Sequence, residues 1–379
     1  MHMTNLWPGW RALWALCILG LTVPLAWAQA PKQAPMQAPM QAATSPATSP
    51  ATSPTTPALL RLNVVGGLAA LNQYTRHEEP FWNSELARLS GGRFVANVVP
   101  QDRAGIRGAE LLGLVQNGAV AIGTALVNLS TNVPELTSID LAGMNPDLGA
   151  LRRAVGALRP QVTRLLRQRL GVEALAIFVY PAQVIYCNKE FVGLRALKGR
   201  RIRTSSATIS DFLEGLGAVP VPTTFSEIVG NAQAGNIDCA VTGTMSGNTI
   251  GLHDHMTHMH SMAITWGLSV VVANGAVWQS LPPELLVLLA KELPRLEERI
   301  WAEVERETGM GVLCNTGASD CVGGRRGKMK LVATTPDDDI FRREIFAGTV
   351  LPRWVKRCGP GCDTAWSGAL AAALGVAVK

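Results

Sequence analysis

Four cations crowd into six positions of "LKGRRIRTSS" (197–206): Lys198, Arg200, Arg201 and Arg203. Such a cluster is either a surface patch for an anionic polymer or a place where one cation is turned inward for a purpose. Alternation along a strand puts Arg201 and Arg203 on one face of "RRIRT" and Ile202 on the other. Arg203 lies nearest the segment that follows, at the strand's carboxyl end, where α/β units bind their ligands. A guanidinium there can take a carboxylate through two parallel hydrogen bonds, which an ammonium cannot. The competing arrangements for Arg203 are an internal ion pair and a solvated position.

A second group with chemical potential is "HDHMTHMH" (253–260), which holds four of the six histidines, His253, His255, His258 and His260. Imidazole clusters hold zinc, copper or nickel. On a helix His255 and His258 would be neighbours, and on a strand His258 and His260 share a face. No HExxH, CxxC or fixed carboxylate ligand accompanies them, so a periplasmic metal-binding protein is the alternative reading and histidines on a lobe surface near a hinge the plainer one. Signatures of catalysis are missing too. There is no G-x-S-x-G elbow, and neither "GGLAAL" nor "GMGVL" completes a dinucleotide fingerprint. The acidic run at 337–339 reads as the start of a helix, where negative charge suits the dipole. No catalytic residue, cofactor or resident metal is expected.

The elements that position these groups follow from composition and pattern. The chain has 379 residues, 47% hydrophobic and 16% charged, with a formal charge of +6 spread along its length. That provides a sizeable core and does not suggest a nucleic-acid binder. Arg11 precedes the apolar run "ALWALCILGLTVPLA", and "AWA" at 26–28 provides small residues for cleavage, so 1–28 reads as a secretory signal peptide. The QAPM and TSPA repeats of 29–58 read as a disordered Pro/Thr/Ser-rich linker. Outside the signal six cysteines remain. An even number in an exported chain favours disulfides: Cys314 with Cys321 and Cys358 with Cys362, each close in a Gly-rich loop, and Cys187 with Cys239 as a third.

From residue 59 onward, strand and helix patterns alternate. "LLRLNVVGG", "RFVANVVP" and "AVAIGTAL" read as strands separated by helices. "VEALAIFVYPAQVIYCN" reads as two strands parted at Pro181, and "GRRIRTS", "AVPVPT" and "IDCAVTG" form a second α/β unit. "ITWGLSVVVANGAVWQSL" returns to strand character, and a long amphipathic helix starts at "PPELL" and runs to about 308.

The blocks "LSGGRFVANVVPQDRAGIRGAELLGLVQNGAVAIG" and "LKGRRIRTSSATISDFLEGLGAVPVPTTFSEIVGNAQAGNIDCAVTG" resemble, in order, the DctP family, the extracytoplasmic solute-binding proteins of tripartite ATP-independent periplasmic (TRAP) transporters. The likeness covers about 59–310 and is sharpest at "LKGRRIR", "LGAVPV" and "GNID", where Cys239 replaces the family's Gly. It implies an α/β, two-lobed periplasmic-binding-protein-like fold with an interlobe ligand cleft. Residues 59–180 and 269–308 would form lobe I, and 181–268 with 309–379, including the C-terminal cysteines, lobe II. It implies a non-enzymatic periplasmic receptor that hands a small organic acid to TRAP membrane permease subunits. Arg203 falls on the family's carboxylate-binding arginine, leaving the other three cations to solvent. A second family arginine is replaced by "YPAQ" (180–183), so Gln183 could hydrogen-bond the ligand without neutralising it, and Tyr180 could form a wall or simply belong to the core. Thr242 stands where the family often has Asn. One arginine fewer fits a monocarboxylate. Asn72 and Gln73, after the first strand, occupy the place of contacts from the other lobe, or are ordinary loop residues.

Overall fold

The computed structural model describes residues 59–130 and 132–362, with 368 and 371. The signal segment (1–28) and linker (29–58) expected from the sequence lie outside the described residues. Among these residues eleven strands form two sheets. The first has the order β2-β1-β3-β10-β4, built from β1 (Leu60–Gly66), β2 (Phe94–Pro100), β3 (Ile122–Leu126), β4 (Val172–Val179) and β10 (Leu268–Asn274). The second has the order β11-β9-β5-β8-β6-β7, built from β5 (Gln183–Cys187), β6 (Arg201–Thr204), β7 (Val219–Pro222), β8 (Cys239–Gly243), β9 (His258–His260) and β11 (Lys330–Val332).

Parallel pairing holds where helices connect neighbours: β1 with β2 and β3, and β6 with β7 and β8. The strands that enter from the other sheet, β5 and β10, run antiparallel to their neighbours. Only Tyr180, Pro181 and Ala182 separate β4 from β5, too few for a parallel crossover within one sheet, and here the chain passes to the second sheet. The strand expected over 264–281 is shorter, because Asn274 ends it by capping the helix Gly275–Ser280 through Ala276 and Val277 N–H. The two sheets are covered by helices and share one large apolar core. It reaches from Leu62, Val98 and Val271 in the first sheet to Ile185, Ile202 and Val241 in the second.

The long helix continues to Thr316, eight residues past the expected end, despite Gly309 and Gly311. Cys314 is thus in its last turns rather than in a loop. Gly311 permits a close approach: a Cβ there would lie 2.3 Å from Met245 N and 2.4 Å from Thr244 C. The helix stops at Gly317, whose φ of 82° favours glycine. It touches both sheets. Trp301 Nε1 donates to Ile177 O on β4, while Asn315 Nδ2 donates to Thr244 O, beyond β8, and to the Tyr186 hydroxyl on β5. Disulfides join Cys187 to Cys239 across β5 and β8, Cys314 to Cys321, and Cys358 to Cys362.

The two helix glycines should therefore respond oppositely to alanine. Alanine in an exposed helix position stabilises by roughly 0.5–1 kcal/mol, and at Gly309 an added Cβ meets nothing within 4 Å. At Gly311 the backbone collision outweighs that gain, since overpacking costs about 1–3 kcal/mol. Thermal and denaturant melts should show Gly309→Ala more stable and Gly311→Ala less stable than the parent. Equal effects would mean that Gly311 carries no close packing.

Candidate functional site

Arg203 sits third in β6, between β7 and β8, opposite Val221 on one side and Ala240 on the other. Its side chain is 3% exposed. Nε donates to Thr223 O at 3.0 Å and Nη1 to Val241 O at 2.7 Å, so two carbonyls hold the guanidinium at the carboxyl ends of β7 and β8. No carboxylate pairs with it among the described residues. Burial draws its pKa down to about 10, which leaves it cationic at neutral pH. Its neighbours behave differently. Arg201 is exposed and forks onto Asp238, with Nη2 2.8 Å from Oδ1. Arg200 is half-buried, donates to Lys189 O and Glu190 O, and lies over the Phe191 ring. Lys198 is also exposed. One cation of the four is buried, and it carries no counter-charge.

Thr242 shares the Arg203 face of the second sheet, because Arg203 pairs with Ala240 and Thr242 lies two residues on. It is buried. Gln183 does not join them. It points to the opposite face, and its Nε2 donates to Trp266 O at 3.3 Å, where the chain recrosses between the sheets. Tyr180 lies at the first sheet's edge. Its hydroxyl is 3.3 Å from where a Cβ on Gly67 would sit, at the carboxyl end of β1, and burial pushes its phenol well up from the usual range. Asn72 and Gln73 both donate to the buried Glu307 of the long helix, Gln73 at 2.6 Å, which commits their amides to holding that helix. Asn72, Gln73, Pro181, Met245 and Glu307 line a dent with no room for a water molecule. The two sheet edges meet at Asn128, whose Nδ2 donates to Ser205 Oγ at 3.4 Å, two residues beyond Arg203.

Other groups at these edges gave no signal in the sequence. Asp140 is buried and its Oδ2 accepts from Thr265 Oγ1, Trp266 N and Gly267 N, fastening the second crossing between the sheets. Gly267 has a φ of 78°, and beside it Tyr180 N donates to Gly267 O. Glu78 is buried beneath Gly67: Oε2 accepts from Gly67 N at 2.8 Å and Oε1 from Thr124 Oγ1. Both Gln101 amide atoms are buried without a partner among the described residues.

The four clustered histidines part company. His253 approaches Asn248, His255 meets Gln233, His258 Nδ1 meets Thr257 Oγ1, and His260 stacks on Phe191 with Asp338 Oδ2 at 3.4 Å. Among the described residues no group of three His, Cys, Asp or Glu is placed to hold a metal ion. Spacing along the chain put them together; β9 and the turn before it send them to different neighbours.

Glu78 makes the stability of the edge depend on pH. Burial raises its carboxyl from 4.5 to about 7, opposed by the bonds from Thr124 and Gly67. The folded state therefore holds this proton more tightly than the unfolded one. Its stabilising contribution is complete below about pH 4.5 and is lost as pH rises through about 7, on the order of 3 kcal/mol at most. Denaturant titrations at pH 5 and pH 8 should show the parent losing stability relative to Glu78→Gln, which mimics the protonated acid. A constant difference between the two proteins would place the Glu78 carboxyl at its ordinary value.

Comparison with known proteins agrees with this architecture. A family model described as "Bacterial extracellular solute-binding protein, family 7" (DctP) matches residues 69–309. No curated protein matches the sequence. Among solved structures, a Bordetella pertussis extracytoplasmic solute receptor binding pyroglutamic acid superposes with a TM-score of 0.71 at 22% identity, over 83% of this chain and 99% of that one. A marine metagenome TRAP solute-binding protein specific for pyroglutamate gives 0.72 at 18%, over 84% and 99%. A Desulfovibrio salexigens TRAP periplasmic solute-binding protein with bound orotic acid gives 0.73 at 13%, over 83% and 98%. The fold and the match over 69–309 together establish that this chain belongs to the DctP family of TRAP-transporter solute-binding proteins.

Proposed function

We propose that the protein captures a small organic acid, a monocarboxylate, on Arg203 and presents it to the membrane permease of a TRAP transporter. The observation that carries this reading is the buried guanidinium without a carboxylate partner. A ligand carboxylate supplies the missing counter-charge. Single positive charge at the site favours a single anionic group, since a second carboxylate would be desolvated without compensation. Relatives of the same fold have been crystallised with succinate and with malonate as well as with pyroglutamate and orotic acid, so acid chemistry is common to them while the number of carboxylates is not. Thr242 lies on the same face as Arg203, and Tyr180 walls the opposite edge.

Binding works by lobe closure. The acid favours the closed form only through contacts made there and not in the open form, and the permease reads the closed surface. Export through residues 1–28, followed by the 29–58 tether, would place the receptor in the periplasm. No helix among the described residues is long and apolar enough to cross a membrane.

Truncating one partner of a desolvated ion pair costs about 2–5 kcal/mol, and each 1.4 kcal/mol is about tenfold in affinity. Calorimetry against a panel of mono- and dicarboxylates should first identify the bound acid. Arg203→Ala should then weaken it by roughly 30-fold or more with the fold intact. Arg203→Lys should recover only part, because ammonium lacks the planar fork. Arg200→Ala should shift affinity by well under about 1 kcal/mol. Equal losses at positions 200 and 203 would replace the single clamp with a diffuse patch.

A further inference from the structure

The proposed receptor role accounts for Arg203 and leaves Gln101 unexplained. Gln101 follows the last residue of β2 and is 1% exposed, yet neither Nε2 nor Oε1 has a hydrogen-bond partner among the described residues. A buried amide with both ends unmade is costly. Its backbone is fully engaged: Gln101 N donates to Gly66 O and Gly67 O, and its own carbonyl accepts from Ile106 N. The residue is thus pinned where β1 and β2 end, beside the Gly67 that Tyr180 approaches. The amide oxygen points past Gly108, lying 3.4 Å from where a Cβ there would be, and the same Cβ would collide with Leu129 at 2.7 Å. Leu129 adjoins Asn128, which bridges to Ser205 beside Arg203. A run of neighbours, Gly108, Leu129, Asn128 and Ser205, thus joins the amide at the end of one sheet to the cation at the end of the other.

Resting on that receptor reading, we propose that Gln101 is a specificity-determining residue that reads a ring amide on the ligand, so that the solute is a cyclic amide carrying one carboxylate. A carboxamide offers an N–H donor beside a carbonyl acceptor. The complementary edge is an amide locked cis in a ring, with its own N–H beside its own C=O, and two parallel hydrogen bonds then satisfy both Gln101 atoms. A simple hydroxyl or ether would satisfy one atom and leave the other buried. A second carboxylate at that end would present two acceptors to one donor and set a negative charge against the amide oxygen.

Calorimetry with two acids of similar ring size separates the terms: pyroglutamate, a five-membered lactam acid, and cyclopentanecarboxylate, which lacks the amide. The intact protein should prefer the lactam by tenfold or more. Gln101→Leu and Gln101→Met, which fill the space without hydrogen-bonding atoms, should weaken the lactam by about 5- to 150-fold and leave cyclopentanecarboxylate within about twofold. The second variant guards against a folding defect in the first, with melting temperature as the control. Arg203→Ala should weaken both acids together. The Gln101 assignment is overturned if the parent does not prefer the lactam, if it binds neither acid, or if the ratio survives in both Gln101 variants. Should other carboxylates still bind in an Arg203-dependent way, the receptor reading stands while the ring-amide reading falls. Loss of all Arg203 dependence would sink the receptor reading itself.

Discussion

The arrangement depends on a cation, Arg203, buried from water with no acid among the described residues to answer it. Moving a guanidinium from water into a protein interior costs several kcal/mol after relaxation, and two backbone carbonyls return part of that without neutralising the charge. A sheet that spends stability this way keeps an electrostatic deficit at one point. Arg201, two residues earlier on the same face, shows the ordinary outcome, since a half-buried Asp238 neutralises it. The contrast between two arginines in one short strand separates surface chemistry from ligand chemistry.

The rest of the molecule ties the two sheets together near that point. Three segments pass between the sheets: 180–182, 261–267 and the long helix. The first two hydrogen-bond to each other through Tyr180 N to Gly267 O and Gln183 N to Thr265 O, and the Asp140 carboxylate gathers Thr265, Trp266 and Gly267. Burial raises the Asp140 carboxyl while its donors oppose the shift. Four donors converge on it, Asn145 Nδ2 included. The long helix is held to the first sheet side by Glu307 with Asn72 and Gln73, and to the second by the Gly311 approach to Met245. Under the proposed closure mechanism, motion about these crossings would change what faces Arg203 while leaving both sheets intact.

Much of this could be read along the chain. An apolar, β-branched run ending in Gly-Gly marked β1, and alternation along "RRIRT" put Arg203 on one face with Arg201, at the carboxyl end of β6. Even cysteine count, with close spacing for Cys314–Cys321 and Cys358–Cys362, anticipated those disulfide partners, and Cys187–Cys239 followed as the remaining pair. What escaped was set by distant neighbours. Asn72 meets Glu307 across 235 positions, so nothing nearby distinguishes a ligand contact from a helix anchor. Gly309 and Gly311 look alike as helix breakers, and only the packing of Met245 tells them apart. Gln183 follows Tyr180 closely, yet the pleat turns it away from Arg203. Gln101 sits in "PQDRAG", where a lone amide in a turn carries no signal until its burial is known.

The most direct measurement is a crystal structure of the protein with its acid bound. The account predicts a closed form in which both oxygens of the ligand carboxylate lie within hydrogen-bonding distance of the Arg203 guanidinium. Thr223 and Val241 carbonyls should remain its only protein acceptors. A bound acid seated elsewhere, with Arg203 still facing those two carbonyls alone or paired to a protein carboxylate, would contradict it.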